Sequence, residues 1–306
     1  MINSVSIKSY KGQRKTLRLS ELSEEGIFIK KITGLGPVKA QVNLTDVAGY
    51  DGSEFNSSQL EERNIQIIFG FEEAYSNSVE DARQLLYKLF TTKREVRLDF
   101  DTTNRKVYCT GIVETNEPNI FDKNVTESVT IRCADPYFYD TANNGVQQTV
   151  FFGTEDQFEF PFSNESLTEN LIEFGVVRRN AQGNVYYKGE VETGCKIYIH
   201  AVGSVGSITI YNTQTRERMI IDADKLASKT GSSLKTADTL IIDTNRGHKN
   251  VQLLRDGVYT NVLSILKKGS DWFKIEQGDN LFAYTATSGI ENVQFTIENK
   301  VAYGGI

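Results

Sequence analysis

The sequence predicts a mostly β protein built as two β-sandwich domains, and three observations support this fold class. Apolar and polar residues alternate along roughly twenty short runs, as in Val96, Leu98 and Phe100, which is typical of strands with one buried face. Turn residues such as Asp51 and Gly52 separate these runs. The chain has 306 residues, more than a single hydrophobic core usually serves.

One segment has helical rather than strand periodicity. Ser78 can cap a helix, and Asp81 three positions later completes the pattern of a capping box. An apolar stripe follows at Ala82, Leu85, Leu86 and Leu89. We therefore predict a single helix over 78–90 that packs on the sheet of the first domain.

The composition changes near residue 140. The segment TANNGVQQ is polar and rich in turn residues, and a purely β pattern follows it. We place the domain boundary there, with a first β-sandwich at 1–140 and a second at 141–306.

Charge and hydropathy exclude several classes. The net charge of -6 does not indicate a uniformly basic face for DNA. No run approaches the length of apolar residues that spans a bilayer, and the N-terminus lacks the apolar core of a signal peptide. We expect synthesis in the bacterial cytoplasm and no membrane insertion.

Candidates for catalysis or metal binding are few. Cys109, Cys133 and Cys195 fit small buried side chains. His200 lies on a predicted strand and His248 in a turn. No nucleophile, zinc or phosphate-binding motif occurs. We therefore predict no catalytic residue, no metal and no cofactor, although a hydrolase with two carboxylates across a cleft stays open as an alternative.

Trp272 is the only tryptophan. It precedes Phe273 and Ile275, which favours packing at the edge of a core. The alternative is an exposed aromatic side chain that stacks on a sugar.

Several segments occur in an order that resembles the distal tail proteins of siphophages, the Dit family. They are ITGLGPVKAQVN and DGSEFNSSQLEERNIQIIFGF before the predicted helix, then EVRLDF, GIVETNEPNIF and TIRCADPYFYD after it. Near the end, NRGHKNVQLLRDGVYTNVL, SDWFKIEQGDNLFAY and VAYGGI continue the resemblance. It covers most of the chain, with little to quote between 141 and 245.

The resemblance implies a tail-tube-like first domain with a helix and an extended hairpin, six copies of which form a ring. It implies a galectin-like or carbohydrate-module-like second domain outside the ring. The implied protein is structural and not an enzyme: a homo-hexamer at the virion tail tip that joins the tail tube protein to the tail-associated lysin or hub protein. In some phages such a ring also carries receptor-binding proteins, and DNA passes through its lumen without specific binding.

The family's signature maps onto one stretch of this chain. The matching residues are Asp51, Gly52, Ser53, Phe55, Asn56, Arg63 and Asn64. They have a local explanation, because glycine adopts positive φ and asparagine bonds nearby backbone, so they would shape a long hairpin. A second interpretation makes six of them contacts in the ring: Asp51, Gly52, Phe55, Asn56, Arg63 and Asn64.

Three functions therefore remain in competition. The first is the ring-forming tail-tip adaptor. The second is a module that binds host-surface carbohydrate, with Trp272 as the candidate residue. The third is a cell-wall hydrolase.

Overall fold

The computed structural model describes all 306 residues except 20, 47, 50, 73–77, 120, 122–124, 156–175 and 180. The described part contains 23 strands and two α-helices. The elements up to residue 140 are β1 Ile2–Ser9, β2 Arg14–Arg18, β3 Ile27–Thr33, β4 Ala40–Asp46, β5 Ser53–Leu60, β6 Arg63–Phe71, α1 Val79–Leu89, β7 Glu95–Thr102, β8 Lys106–Asn119, β9 Thr126–Cys133 and β10 Phe138–Asp140.

The elements after residue 140 are β11 Val146–Val150, β12 Phe152–Glu155, β13 Val176–Arg179, β14 Gln182–Tyr187, β15 Cys195–Ala201, β16 Ile208–Asn212, β17 Glu217–Ile221, α2 Ala223–Thr230, β18 Thr239–Asp243, β19 Asn250–Arg255, β20 Val258–Asn261, β21 Gly278–Ala286, β22 Val293–Lys300 and β23 Ala302–Tyr303. Short 3-10 helices occur at Ala142–Gly145, Leu263–Ile265 and Ile290–Asn292. The mostly β class is confirmed, and the strands pair antiparallel throughout the described sheets.

The chain divides into two compact units. Unit 1 comprises Met1–Gly145 together with Ala302–Ile306, and unit 2 comprises Val146–Val301. The last five residues return to unit 1 because β23 pairs with β10. The sequence, which places everything after 140 in the second domain, did not predict this return.

Unit 1 is built on one large sheet in the order β2-β1-β7-β8-β9-β6-β3. The predicted alternation is observed, since Ile65, Ile67 and Phe69 of β6 are fully buried while the residues between them are more exposed. Cys109 and Cys133 are buried and unoxidised on the same sheet.

Helix α1 is capped as predicted. Ser78 accepts a hydrogen bond from the backbone of Asp81, whose side chain accepts one from the backbone of Ser78. The apolar stripe buries Ala82, Leu86 and Leu89. The ring of Phe90 at its end lies 5.6 Å from that of Phe69, so the helix packs on β6.

Unit 2 contains a six-stranded sheet, β11-β22-β15-β18-β19-β20, and a four-stranded sheet, β14-β21-β16-β17. Tyr284 of the smaller sheet stacks on Phe295 of the larger, with ring centroids 4.8 Å apart. Both side chains are buried, so the two sheets share an aromatic core. Helix α2 is capped by Asp222, whose carboxylate accepts hydrogen bonds from the backbone amides of Asp224 and Lys225.

Candidate interaction site

The strands β4 and β5 form a hairpin that belongs to no larger sheet. Every residue of both strands is exposed. Since an isolated two-stranded hairpin is marginally stable in water, this element is the clearest candidate for a surface that a partner covers.

The two faces of the hairpin differ in polarity. Alternation and register place Leu44 opposite Phe55 and put four large apolar side chains on one face. They are Val42, Leu44, Phe55 and Leu60, with exposed fractions of 51%, 57%, 60% and 45%. The other face carries polar cross-strand pairs such as Asn43 with Ser57, joined by a 3.0 Å hydrogen bond.

The signature residues at the tip shape the hairpin. Gly52 has a φ of +99°, which favours glycine over other residues. The register shifts beside Leu44, leaving Asn56 as the extra residue of a bulge, where its amide donates to the hydroxyl of Thr45. Asp51, Gly52, Phe55 and Asn56 are all exposed.

Arg63 lies elsewhere and has a different role. Its side chain is completely buried and donates to the backbone carbonyls of Pro136 at 2.8 Å, Gly34 at 2.6 Å, Gly36 at 2.8 Å and Gly304 at 2.7 Å. Its guanidinium also lies 4.1 Å from the ring centre of Phe138. Arg63 therefore offers no surface to a neighbouring copy and instead ties together three separate stretches of unit 1.

This network fixes the base of the hairpin. Gly34 approaches β6 so closely that a Cβ atom there would lie 1.9 Å from the carbonyl oxygen of Asn64. The C-terminal residue Ile306 donates its amide to the carbonyl of Leu35. Burial lowers the pKa of Arg63 below its ordinary value, but an arginine remains charged under these conditions. Asn64, the next signature residue, is exposed on β6.

Sequence reasoning missed a basic surface on the sheet of unit 1. Strand register places Lys8 directly opposite both Arg14 and Arg97. Asp99 accepts from Arg97 at 2.7 Å and from Arg14 at 3.4 Å. These side chains line a depression of about 520 Å³ whose other lining residues include Ser4, Ser6, Thr16, Asp101 and Lys106. The alternation of Lys8 and Arg97 with apolar neighbours was the signal available in the sequence, but only the register shows that they meet.

Trp272 is half-buried and precedes the buried residues Phe273 and Ile275. The ammonium group of Lys249 lies 5.4 Å from its ring centre, so one face of the indole is covered. More exposed aromatic side chains occur on both sheets of unit 2, since Tyr259 of the six-stranded sheet and Tyr186 of the four-stranded sheet are each 61% exposed. Tyr198 of the six-stranded sheet is half-buried.

The remaining candidates have ordinary environments. His200 is half-buried on β15 with Nδ1 2.9 Å from the hydroxyl of Thr239, and His248 is exposed in a loop. Cys195 is buried. Among the described residues, no three His, Cys, Asp or Glu side chains are grouped to hold a metal ion, and no helix in that part is long and apolar enough to cross a membrane.

Residues 17–149, somewhat less than half of the chain, match the family model of the phage tail protein RIFT-related domain. The predicted resemblance to siphophage distal tail and baseplate proteins is thereby confirmed. No curated protein sequence matches the chain.

Solved structures of phage proteins also match the chain. The crystal structure of the SPP1 Dit protein (gp 19.1), described as a paradigm of hub adsorption apparatus in phages that infect Gram-positive bacteria, matches with a TM-score of 0.59 and 13% identity over 96% of this chain and 97% of that one. The phage P2 baseplate in its activated conformation with Ca matches with a TM-score of 0.43 and 12% identity over 98% of this chain and 99% of the other. At 13% identity the likeness to the SPP1 protein is one of fold.

Proposed function

We propose that this phage tail protein is a ring-forming structural component of the tail tip. Six copies join through unit 1, and the ring connects the tail tube protein to the tail-associated lysin or hub protein. The observation that carries the proposal is the hairpin β4-β5, whose apolar face nothing in the described chain covers.

Leaving this apolar face in water costs free energy. Burying a side chain such as Leu44 or Phe55 contributes about 1.5–3 kcal/mol relative to leaving it in water. A side-by-side contact between copies covers the hairpin and, when the rotation closes, forms a ring without free edges. The buried Arg63 network holds the base of the hairpin, so the hairpin reaches the neighbouring copy in a defined direction.

The other assignments follow from this architecture. The protein acts at the virion tail tip as a non-enzymatic scaffold, in some assemblies together with receptor-binding proteins. DNA passes through the lumen without specific binding. Unit 2 is a galectin-like sandwich on the outside of the ring, an assignment supported by its two sheets with a shared aromatic core.

The native mass of the purified protein by light scattering tests the ring. We expect an oligomer of six copies for the unaltered protein and a monomer for the double variant Leu44→Ser, Phe55→Ser. The matched control is Val258→Ser, Tyr259→Ser, which alters an equally exposed apolar pair on β20 and should leave the mass unchanged. A monomeric unaltered protein, or an unchanged mass for the hairpin variant, contradicts the proposal.

A second candidate function is carbohydrate binding by unit 2. The six-stranded sheet is a better candidate for the binding site than Trp272. Register places Tyr198 in one row with Ile241, Gln252 and Asn261 across four strands. A row that carries an aromatic ring at one end and planar amides at the other suits a neutral sugar, which offers apolar C–H groups and hydroxyls together.

A glycan array tests this second candidate. Binding that is lost in Tyr198→Ala, Tyr259→Ala and retained in Trp272→Ala supports the sheet as the site. If only Trp272→Ala loses binding, the sugar site is at the tryptophan. If the unaltered protein binds no glycan, both candidate sites are contradicted.

A further inference from the structure

The tip of the hairpin is acidic. Residues 40–60 contain Asp46, Asp51 and Glu54 and neither lysine nor arginine, so this segment has a net charge of -3. All three carboxylates are exposed. No salt bridge of the described residues includes any of them.

The sheet of unit 1 presents the opposite charge. The depression on the sheet of unit 1, which we call the basic face, is lined by four cations and two acids, a net charge of +2 on a chain whose total is -6. Its charged residues are Lys8, Arg14, Arg97, Lys106, Asp99 and Asp101. Glu95 lies on the same face of β7, two positions before Arg97, and does not line the depression.

Three of these cations are placed where folding alone disfavours them. Lys8 is paired directly with Arg14 on one side and Arg97 on the other, and like charges directly opposite in a sheet destabilise it. Asp99 binds both arginines, and one carboxylate does not neutralise three cations. The row therefore carries uncompensated positive charge, which an anionic partner would offset.

We propose that the acidic hairpin tip of one copy docks on the basic face of the next copy. This deepens the proposed function and rests on it, because it assigns the two surfaces that meet at each contact of the ring. The contact joins two different surfaces, so it is head-to-tail, as a closed ring of more than two copies requires.

A second copy fits this face better than a nucleic acid does. Asp99 and Asp101 lie among the cations and would repel a continuous phosphate backbone. Discrete carboxylates can bind between them, and the hairpin supplies three such groups.

A charge-exchange experiment tests the contact. The tip variant is Asp51→Lys, Glu54→Lys, and the face variant is Lys8→Glu, Arg14→Glu. When either variant is present alone, the tip of each copy and the face of the next carry charges of the same sign. We therefore expect each variant to assemble only at a concentration at least about tenfold higher than the unaltered protein. In an equimolar mixture each copy of one variant attracts its neighbours of the other on both sides, so we expect alternating rings to form at the original concentration.

Lys30→Glu, Lys88→Glu is the matched control, because both lysines are exposed in unit 1 and lie outside the basic face. It should assemble like the unaltered protein. The proposed contact is overturned if every variant assembles at the same concentration as the unaltered protein, or if the mixture of the two variants does not form rings. Neither outcome contradicts the ring itself. An unaltered protein that remains monomeric overturns the ring as well.

Discussion

At the residue scale, Arg63 has the most demanding environment. A buried arginine is stable only when its donors are satisfied, and here carbonyls from residues 34, 36, 136 and 304 accept them. These acceptors come from separate stretches of the chain. The Arg63 side chain therefore links the base of the hairpin to the segment that contains Gly304.

Replacing Arg63 with methionine leaves those carbonyls unpaired, and we expect unit 1 to lose about 3 kcal/mol or more of its free energy of unfolding. Urea unfolding followed by circular dichroism measures this loss. Fluorescence of Trp272, the only tryptophan, reports on unit 2 and serves as the internal control. Arg63→Lys keeps the charge but lacks the fork of donors and should also destabilise. A midpoint equal to that of the unaltered protein would show that the network is dispensable.

Glu127 has a buried carboxylate beneath α1. Neither of its oxygens has a hydrogen-bond partner among the described residues, and burial raises its pKa to about 7, against the opposing effects of Asn116 and Arg83. The native state therefore holds a proton that the unfolded chain has already released above about pH 4.5. It follows that stability falls as the pH rises from about 4.5 to 7 and then levels off.

Glu127→Gln should remove this dependence and raise the free energy of unfolding at pH 8 by on the order of 3 kcal/mol. Urea denaturation at pH 5 and pH 8 measures both effects. Glu114→Gln, on an exposed carboxylate of the same sheet, is the control and should change neither value. Equal stability of the unaltered protein at both pH values would refute the assignment.

At the element scale, the structure explains which predictions succeed. Helix α1 and the strands of unit 1 follow from local signals, since a capping box and a period of two require no knowledge of distant residues. The hairpin followed from the resemblance, and its turn follows from the glycine at 52. The family signature groups Arg63 with the exposed tip, whereas its burial depends on Gly304, 241 residues away. The row of Lys8, Arg14 and Arg97 also depends on residues that are distant in sequence, because the register pairs Lys8 with Arg97. The sequence alone therefore does not predict it.

Hydrogen exchange tests the state of the hairpin. Its amides belong to an exposed two-stranded element, so in dilute monomer we expect residues 40–60 to exchange orders of magnitude faster than the buried strand β6. In the assembled protein the same amides should become protected, while β6 serves as the reference in both samples. Unchanged exchange of the hairpin upon assembly would place the contact elsewhere.

At the scale of the whole molecule, each unit has its own core, and the chain crosses from one to the other near residue 145 and again near 301. The second crossing brings the C-terminus back to the base of the hairpin through Ile306 and Leu35. We therefore expect truncation of 302–306 to destabilise unit 1 rather than unit 2. The predicted boundary near 140 depends on a change in composition. A segment as short as 302–306 shows no such change, so the sequence does not reveal that it belongs to unit 1.

Negative-stain electron microscopy of the purified protein tests the central claim most directly. The proposed architecture predicts closed rings of six copies with a central channel, and their disappearance in the variant Leu44→Ser, Phe55→Ser. Monomers alone, or open filaments in place of closed rings, would contradict the claim that the uncovered hairpin is completed by a neighbouring copy.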